Sequence, residues 1–186
     1  MLQMSTISDV DIGVTFLYTV DGTHCPIWEP RPFSTFWSSH KLGGRAGVNY
    51  EIAVCIYKPS LMWIHGPVPA GPKNDIAIYN EELLGHIREY ASSVGRSVKG
   101  IGDKGYRGVD EFISTRNPFD PKEIYEFKDR ALARHETYNS RLKNWKVLTS
   151  LFRHDLDFHG ECFRAINTIL AYQLNNGSVT LFDPYP

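Results

Sequence analysis

The sequence predicts an α/β fold, a sandwich of helices around a mixed β-sheet. Three observations carry this. Strand-like runs dominate the first third of the chain, helix and strand patterns alternate in the middle, and two long helical patterns close it. That order suits helices layered on a sheet better than an all-β or all-α architecture. The 186 residues are most simply one domain spanning 1–186, with 42% hydrophobic residues, enough for a globular core.

Gly13–Val20 is the first strand segment, its β-branched and aromatic run Val14–Val20 closed by the turn-like pair Asp21-Gly22. The stretch to Asn49 is irregular, broken by Pro26, Pro30, Pro32 and Gly43-Gly44. Tyr50–Tyr57 and Leu61–Ile64 form a predicted hairpin connected by Lys58-Pro59-Ser60, and Gly66–Pro72 reads as a Pro/Gly loop. Ile76, Tyr79, Leu83, Ile87 and Tyr90 cover one face of a helix. Ser97–Ile101 is a short strand running into Gly102-Asp103, and Phe112–Thr115 is a further strand candidate. The segments Gly13–Val20, Tyr50–Tyr57, Leu61–Ile64 and Ser97–Ile101 are expected to share one sheet, because a crossover helix joins parallel strands.

Asp120 suits the N-cap of a long helix, with Pro121 at its first position and Glu123 completing a capping box. Ile124, Phe127, Ala131, Tyr138, Leu142 and Trp145 recur as the buried stripe of that helix. A last helix runs from about Phe158 to Leu174 and ends at Asn175-Asn176-Gly177.

The net charge of −1 does not announce a nucleic-acid binder. From Lys128 to Arg153, however, seven Lys and Arg residues face only Asp129 and Glu136. Such a run is either a solvated helix face or a phosphate-contacting one. Cys25, Cys55 and Cys162 lack CxxC spacing and suit a reducing compartment. The first residues have no cationic start with an apolar core, and no stretch approaches a membrane span. A soluble, intracellular chain with no membrane partner is the expectation.

Asp21 and Asp103 each close a predicted strand, and Glu136 lies in the long basic helix. Acidic groups at strand ends sit where open α/β sheets gather ligands, and hard divalent cations take oxygen ligands. The bland alternatives are ordinary turns for both aspartates and a surface pair with Lys143 for Glu136. Asp75 competes for the second acidic role, but its place before Ile76 suits helix capping. His24 and His40 are candidate supporting or DNA-contacting groups. His65, His135, His154 and His159 lack zinc-site spacing.

The fragments Val20–His24, the His40-Lys41 pair, Gly66–Asp75, Gly102–Tyr106 and Asn139–Leu148, in that order, resemble the DDE superfamily endonuclease domain of PIF/Harbinger-type transposases. The resemblance implies a ribonuclease-H-like fold and divalent-metal-dependent DNA cleavage and strand transfer, expected in the nucleus. Asp21, Asp103 and Glu136 would be the catalytic triad, holding two Mg²⁺ or Mn²⁺ ions. Lys41, Arg45, Lys104, Arg107, Arg134, Arg141 and Lys143 are candidate nucleic-acid contacts. Twenty residues precede Asp21, too few for the helix-turn-helix expected upstream in this family. DNA targeting by a separate helix-turn-helix or Myb-like partner is therefore expected, from a chain that is truncated, degenerate or domesticated. The rival readings are a domesticated module that binds DNA or protein without cutting, and a phosphohydrolase of small substrates.

Overall fold

A computed structural model describes residues 15–178 apart from 33, 59 and 72. Gly13 and Val14 of the first strand segment, and Pro59 and Pro72 of the two connections, lie outside the described residues. The strands are β1 (Thr15–Pro26), β2 (Gly47–Cys55), β3 (Leu61–Pro69), β4 (Val98–Gly102) and β5 (Ile113–Thr115). They form one mixed sheet in the order β3-β2-β1-β4-β5. The first three pair antiparallel, while β4 runs parallel to β1 and β5 parallel to β4. The four segments expected in one sheet do share it, and the parallel β1–β4 pair is reached by the expected helical crossover.

The helices are α1 (Asp75–Glu81), α2 (Leu83–Val94), α3 (Lys122–Lys143), α4 (Lys146–Thr149) and α5 (Leu156–Asn175). Side chains alternate across a strand with a period of two, and β1 obeys this from Tyr18 onward. Tyr18 and Val20 pack with Tyr79, Leu83, Leu84 and Ile87 of α1 and α2. Cys25, just past them, packs on the opposite face with Tyr138 and Leu142 of α3 and Phe163, Ile166 and Leu170 of α5. Thr19 lies on that face too, its hydroxyl 2.8 Å from Nδ1 of His135 in α3. Each fully buried large apolar side chain in these layers contributes about 1.5–3 kcal/mol.

Several boundaries differ from the sequence expectation. β1 does not stop at Asp21-Gly22, because β2 pairs with it as far as Pro26↔Gly47. An unbroken ladder overrides the turn preference of Asp-Gly. Likewise β3 continues through Gly66–Pro69, which the sequence assigns to a loop. Gly66 has φ 118°, and a Cβ there would stand 2.7 Å from the Asn49 carbonyl oxygen. That close approach explains glycine in an otherwise regular strand.

The helix after β3 is divided at Glu82. The long helix begins at Lys122 with Pro121 in the N-cap position, so the Asp120 capping box is not formed. Asp120 instead accepts from the buried Lys128 ammonium at 2.7 Å and from the Asn117 backbone N–H. Trp145 falls beyond the end of this helix and is exposed, so it leaves the buried stripe. The last helix starts at Leu156, two residues before Phe158, because the Asp155 carboxylate caps the N–H groups of Asp157 and Phe158.

Candidate functional site

The β1–β4 ladder ends at Thr19↔Ile101. Asp21 lies two residues beyond that pair on one strand, and Asp103 two residues beyond it on the other. Both aspartates therefore stand just past the end of the parallel β1–β4 pairing, Asp103 at the carboxyl end of β4 and Asp21 inside β1, whose antiparallel pairing with β2 runs on to Pro26. The Asp21 carboxylate accepts from the Gly22 N–H at 2.8 Å and from the Asn139 side-chain amide of α3 at 2.9 Å. Asp103 caps the short 3-10 turn Lys104–Tyr106, accepting from the Gly105 N–H at 2.7 Å.

Asp75 joins Asp21 through the shared Lys41 ammonium. The helix cap that the sequence assigns to it belongs to Asn74, whose side chain accepts from the Ala77 N–H. Asp75 is thereby released to accept from the Asn49 amide at 3.2 Å and from the Lys41 ammonium at 3.3 Å. Lys41 also donates to the Gly22 carbonyl at 2.8 Å and lies 3.8 Å from Asp21. Gly22 makes this approach possible, since a Cβ at that position would stand 2.4 Å from an Asp75 carboxylate oxygen. Gly22→Ala is expected to expel the Asp75 carboxylate and lower stability by about 1–3 kcal/mol. Urea unfolding checks this, as a reduced midpoint at unchanged slope.

The charges are mutually unfavourable. Burial pushes the Asp21 carboxyl up to about 6, opposed by Lys41 and reinforced by Asp75 and Asp103. Glu51 of β2, paired in register with Gly22, is almost fully buried. Burial, then the Asp75 charge, pushes it up to about 8, although the Tyr106 hydroxyl donates to it at 3.5 Å. Burial lowers His24 to about 4, and its Nδ1 lies 2.6 Å from the Ser39 hydroxyl. Its ring meets that of His40 edge-on at 5.6 Å between centroids.

Glu136 is exposed on α3, three residues before Asn139. The helix that carries it therefore packs on the Asp21 side of the sheet, but the α3 residue that reaches Asp21 is Asn139. Positions three apart on a helix are surface neighbours, so Glu136 lies one turn from Asn139 with its own side chain exposed, while Asp75 and Asp103 are the carboxylates whose charges act on Asp21. Of the other acidic residues on this helix, Asp129 is paired with Arg116 and Glu126 with Lys122.

Among the described residues, no three His, Cys, Asp or Glu side chains are grouped closely enough to hold an ion. The donor chemistry nevertheless fits a hard cation. Asp21, Asp75 and Asp103 offer only oxygen, and two buried oxygens nearby, Asn49 Oδ1 and Glu51 Oε2, have no hydrogen-bond partner. A buried acceptor without a partner costs roughly 1–3 kcal/mol, a cost that a cation's field would relieve. The Lys41 ammonium presently supplies the positive charge.

The basic candidates divide by environment. Lys41 is engaged inside the carboxylate cluster. Arg134 is half-buried and donates to the Ile56 carbonyl at 3.0 Å, with burial lowering it to about 10, so it serves the core of the fold. Arg45 donates through Nε to the Leu42 carbonyl at 3.1 Å and is exposed. Lys104, Arg107 and Lys143 are exposed and Arg141 is half-buried. His65 pairs with Glu82, while His135 and His159 are buried against Thr19 and Tyr50.

Sequence patterning alone does not mark Asn49, Glu51 or Asn139 as site residues. A signal for the first two exists in VNYEIAV. Val48, Tyr50, Ile52 and Val54 fill the α3/α5 face of β2, and strand alternation puts Asn49 and Glu51 on the opposite one. Buried polar residues in a central strand need partners or a function. No family model matches the chain, and no curated protein or solved structure shows significant similarity to it.

Proposed function

We propose that this chain is a DDE-type nuclease domain of the PIF/Harbinger transposase kind, with a ribonuclease-H-like fold, cleaving and transferring DNA strands. The observation that carries the reading is the placement of Asp21 and Asp103 at matching positions just past the end of the parallel β1–β4 pairing, with Asp75 alongside. The mixed sheet covered by helices is compatible with that fold. Asp21, Asp103 and Glu136 would hold two Mg²⁺ or Mn²⁺ ions, with Asp75 supporting them. Such ions activate water or a 3′-hydroxyl and stabilise the departing oxygen.

The chain's own residues supply the positioning. Asn139 and the Gly22 N–H orient the Asp21 carboxylate, and the Gly105 N–H fixes Asp103. Lys41 neutralises Asp75 and Asp21, and its ammonium would be free to meet a phosphate if a cation took over that charge. Exposed Arg45, Lys104, Arg107 and Lys143 would contact the DNA backbone, and a helix-turn-helix or Myb-like partner would target the domain in the nucleus. No helix among the described residues is long and apolar enough to cross a membrane.

The test is cleavage of plasmid DNA by the purified chain. Nicking is expected with Mg²⁺ or Mn²⁺ and none in EDTA, with binding that weakens steeply as salt rises, because neutralised phosphates release counterions. One observation favours the second reading, a domesticated binding module that no longer cuts. The Lys41 ammonium already stands between two of the carboxylates. DNA binding without cleavage at any metal concentration, even with a helix-turn-helix partner supplied, would establish that reading instead.

A further inference from the structure

Beyond β1 the chain continues as a fixed ledge. The Ile27 N–H donates to the Ala46 carbonyl at 3.2 Å, and the Trp28 N–H to the Phe152 carbonyl at 2.6 Å. Ile27 and Phe152 also form a parallel bridge. The Ile27–Trp28 backbone is thus held from both sides, by Ala46 and by Phe152, while the Trp28 side chain stays 48% exposed. The Arg153 guanidinium lies 5.0 Å from the centre of the indole, within cation–π range. Trp28 borders a cleft of about 300 Å³ together with Arg31, Arg45, Glu29 and Leu151. That volume is at the lower bound of small-ligand clefts, about 300 Å³.

We propose that this cleft binds a segment of single-stranded DNA, with one base stacked on Trp28 and the adjoining phosphates held by Arg31, Arg45 and Arg153. Two guanidiniums, Arg31 and Arg45, against the Glu29 carboxylate line the cleft, and Arg153 over the Trp28 ring adds a third positive charge beside it, a balance that selects an anionic ligand. An exposed, rigidly mounted indole gives an aromatic face to a base that is not already stacked. A duplex hides both faces of its bases, so an unpaired strand is the matching partner. Arg45 holds its Nε on the Leu42 carbonyl, which leaves the outer guanidinium edge for a phosphate.

The choice of DNA rests on the strand-cleavage reading, but binding here needs neither the carboxylates nor a divalent metal. Trp28 lies seven residues past Asp21, roughly 23 Å along an extended chain.

The experiment is fluorescence anisotropy with an oligothymidine of about 12 nucleotides, in EDTA so that cleavage chemistry plays no part. Trp28→Ala is expected to weaken binding about 5- to 150-fold, the range for loss of one base–aromatic stack. Trp28→Phe retains a ring and should recover much of it, and thermal unfolding of both variants checks that the fold is kept. Arg45→Ala should reduce the salt slope by about 0.7 for one phosphate on a single strand. An abasic strand of equal length should bind the wild type as weakly as thymidine binds Trp28→Ala. Unchanged binding by a folded Trp28→Ala, equal binding of the abasic strand, or tighter binding of a duplex would each overturn the proposal. Failure of plasmid cleavage in the presence of normal oligothymidine binding would instead count against the nuclease reading alone.

Discussion

Asp103→Asn should abolish metal-dependent DNA cleavage while leaving the fold and DNA binding in place. Asparagine and aspartate are about equal as N-caps, so the side chain can still accept from the Gly105 N–H that Asp103 now holds at 2.7 Å. What the substitution removes is the negative charge. If that charge holds a catalytic cation, the loss is several kcal/mol of transition-state stabilisation. At about 1.4 kcal/mol per factor of ten, cleavage should fall about a thousandfold or more. Plasmid nicking beside gel-shift binding reads both quantities on one sample. Undiminished cleavage would remove Asp103 from the ligand set. The same assay run on Glu136→Gln and Asp75→Asn identifies the third carboxylate. The resemblance nominates Glu136, whereas the hydrogen bonds converge on Asp75.

The legible and illegible parts of this chain separate by range of interaction. The Tyr50 strand and its hairpin partner were readable because alternation and a short connection are local signals. So was α3, whose apolar stripe recurs every three to four residues. Asp103 is readable as a strand-end acid, since β4 stops at Gly102, whereas Asp21 lies inside β1 and shares only its distance past the parallel pairing. The end of β1 was not readable, because what carries it past Asp21-Gly22 is β2, whose pairing begins at Pro26↔Gly47. The role of Asp75 is not legible for a related reason. Asn74 and Asp75 both suit a cap, and the choice between them depends on Asn49 and Lys41, distant in sequence and adjacent only in the folded chain. The role of Asn139 is not legible because helical periodicity marks apolar stripes and says nothing about which polar residue beside the stripe meets a strand.

Glu51 should make the protein less stable as pH rises from mildly acidic to mildly alkaline. Its carboxyl is held at about 8 in the folded chain, against an ordinary value of 4.5. Between those values the folded state keeps a proton that the unfolded state has released. Stability rises with pH only where the unfolded state binds more protons, so here it falls. The contribution is complete below the ordinary value and is lost as pH passes through about 8. At 1.36 kcal/mol per unit the ceiling is on the order of 5 kcal/mol, and relaxation around the buried group brings the realised loss to about 2–3 kcal/mol. Asp21, raised to about 6, adds a smaller loss of the same sign at lower pH. Glu51→Gln keeps the shape and cannot ionise, so its stability should change far less over this range and exceed that of the wild type at the alkaline end. Urea unfolding at several pH values measures the difference. EDTA is needed throughout, since a divalent cation beside these carboxylates would favour their ionised forms and erase the effect. Parallel pH profiles for the two proteins would mean that Glu51 ionises normally in the folded chain, and that water or a shift of Tyr106 solvates it.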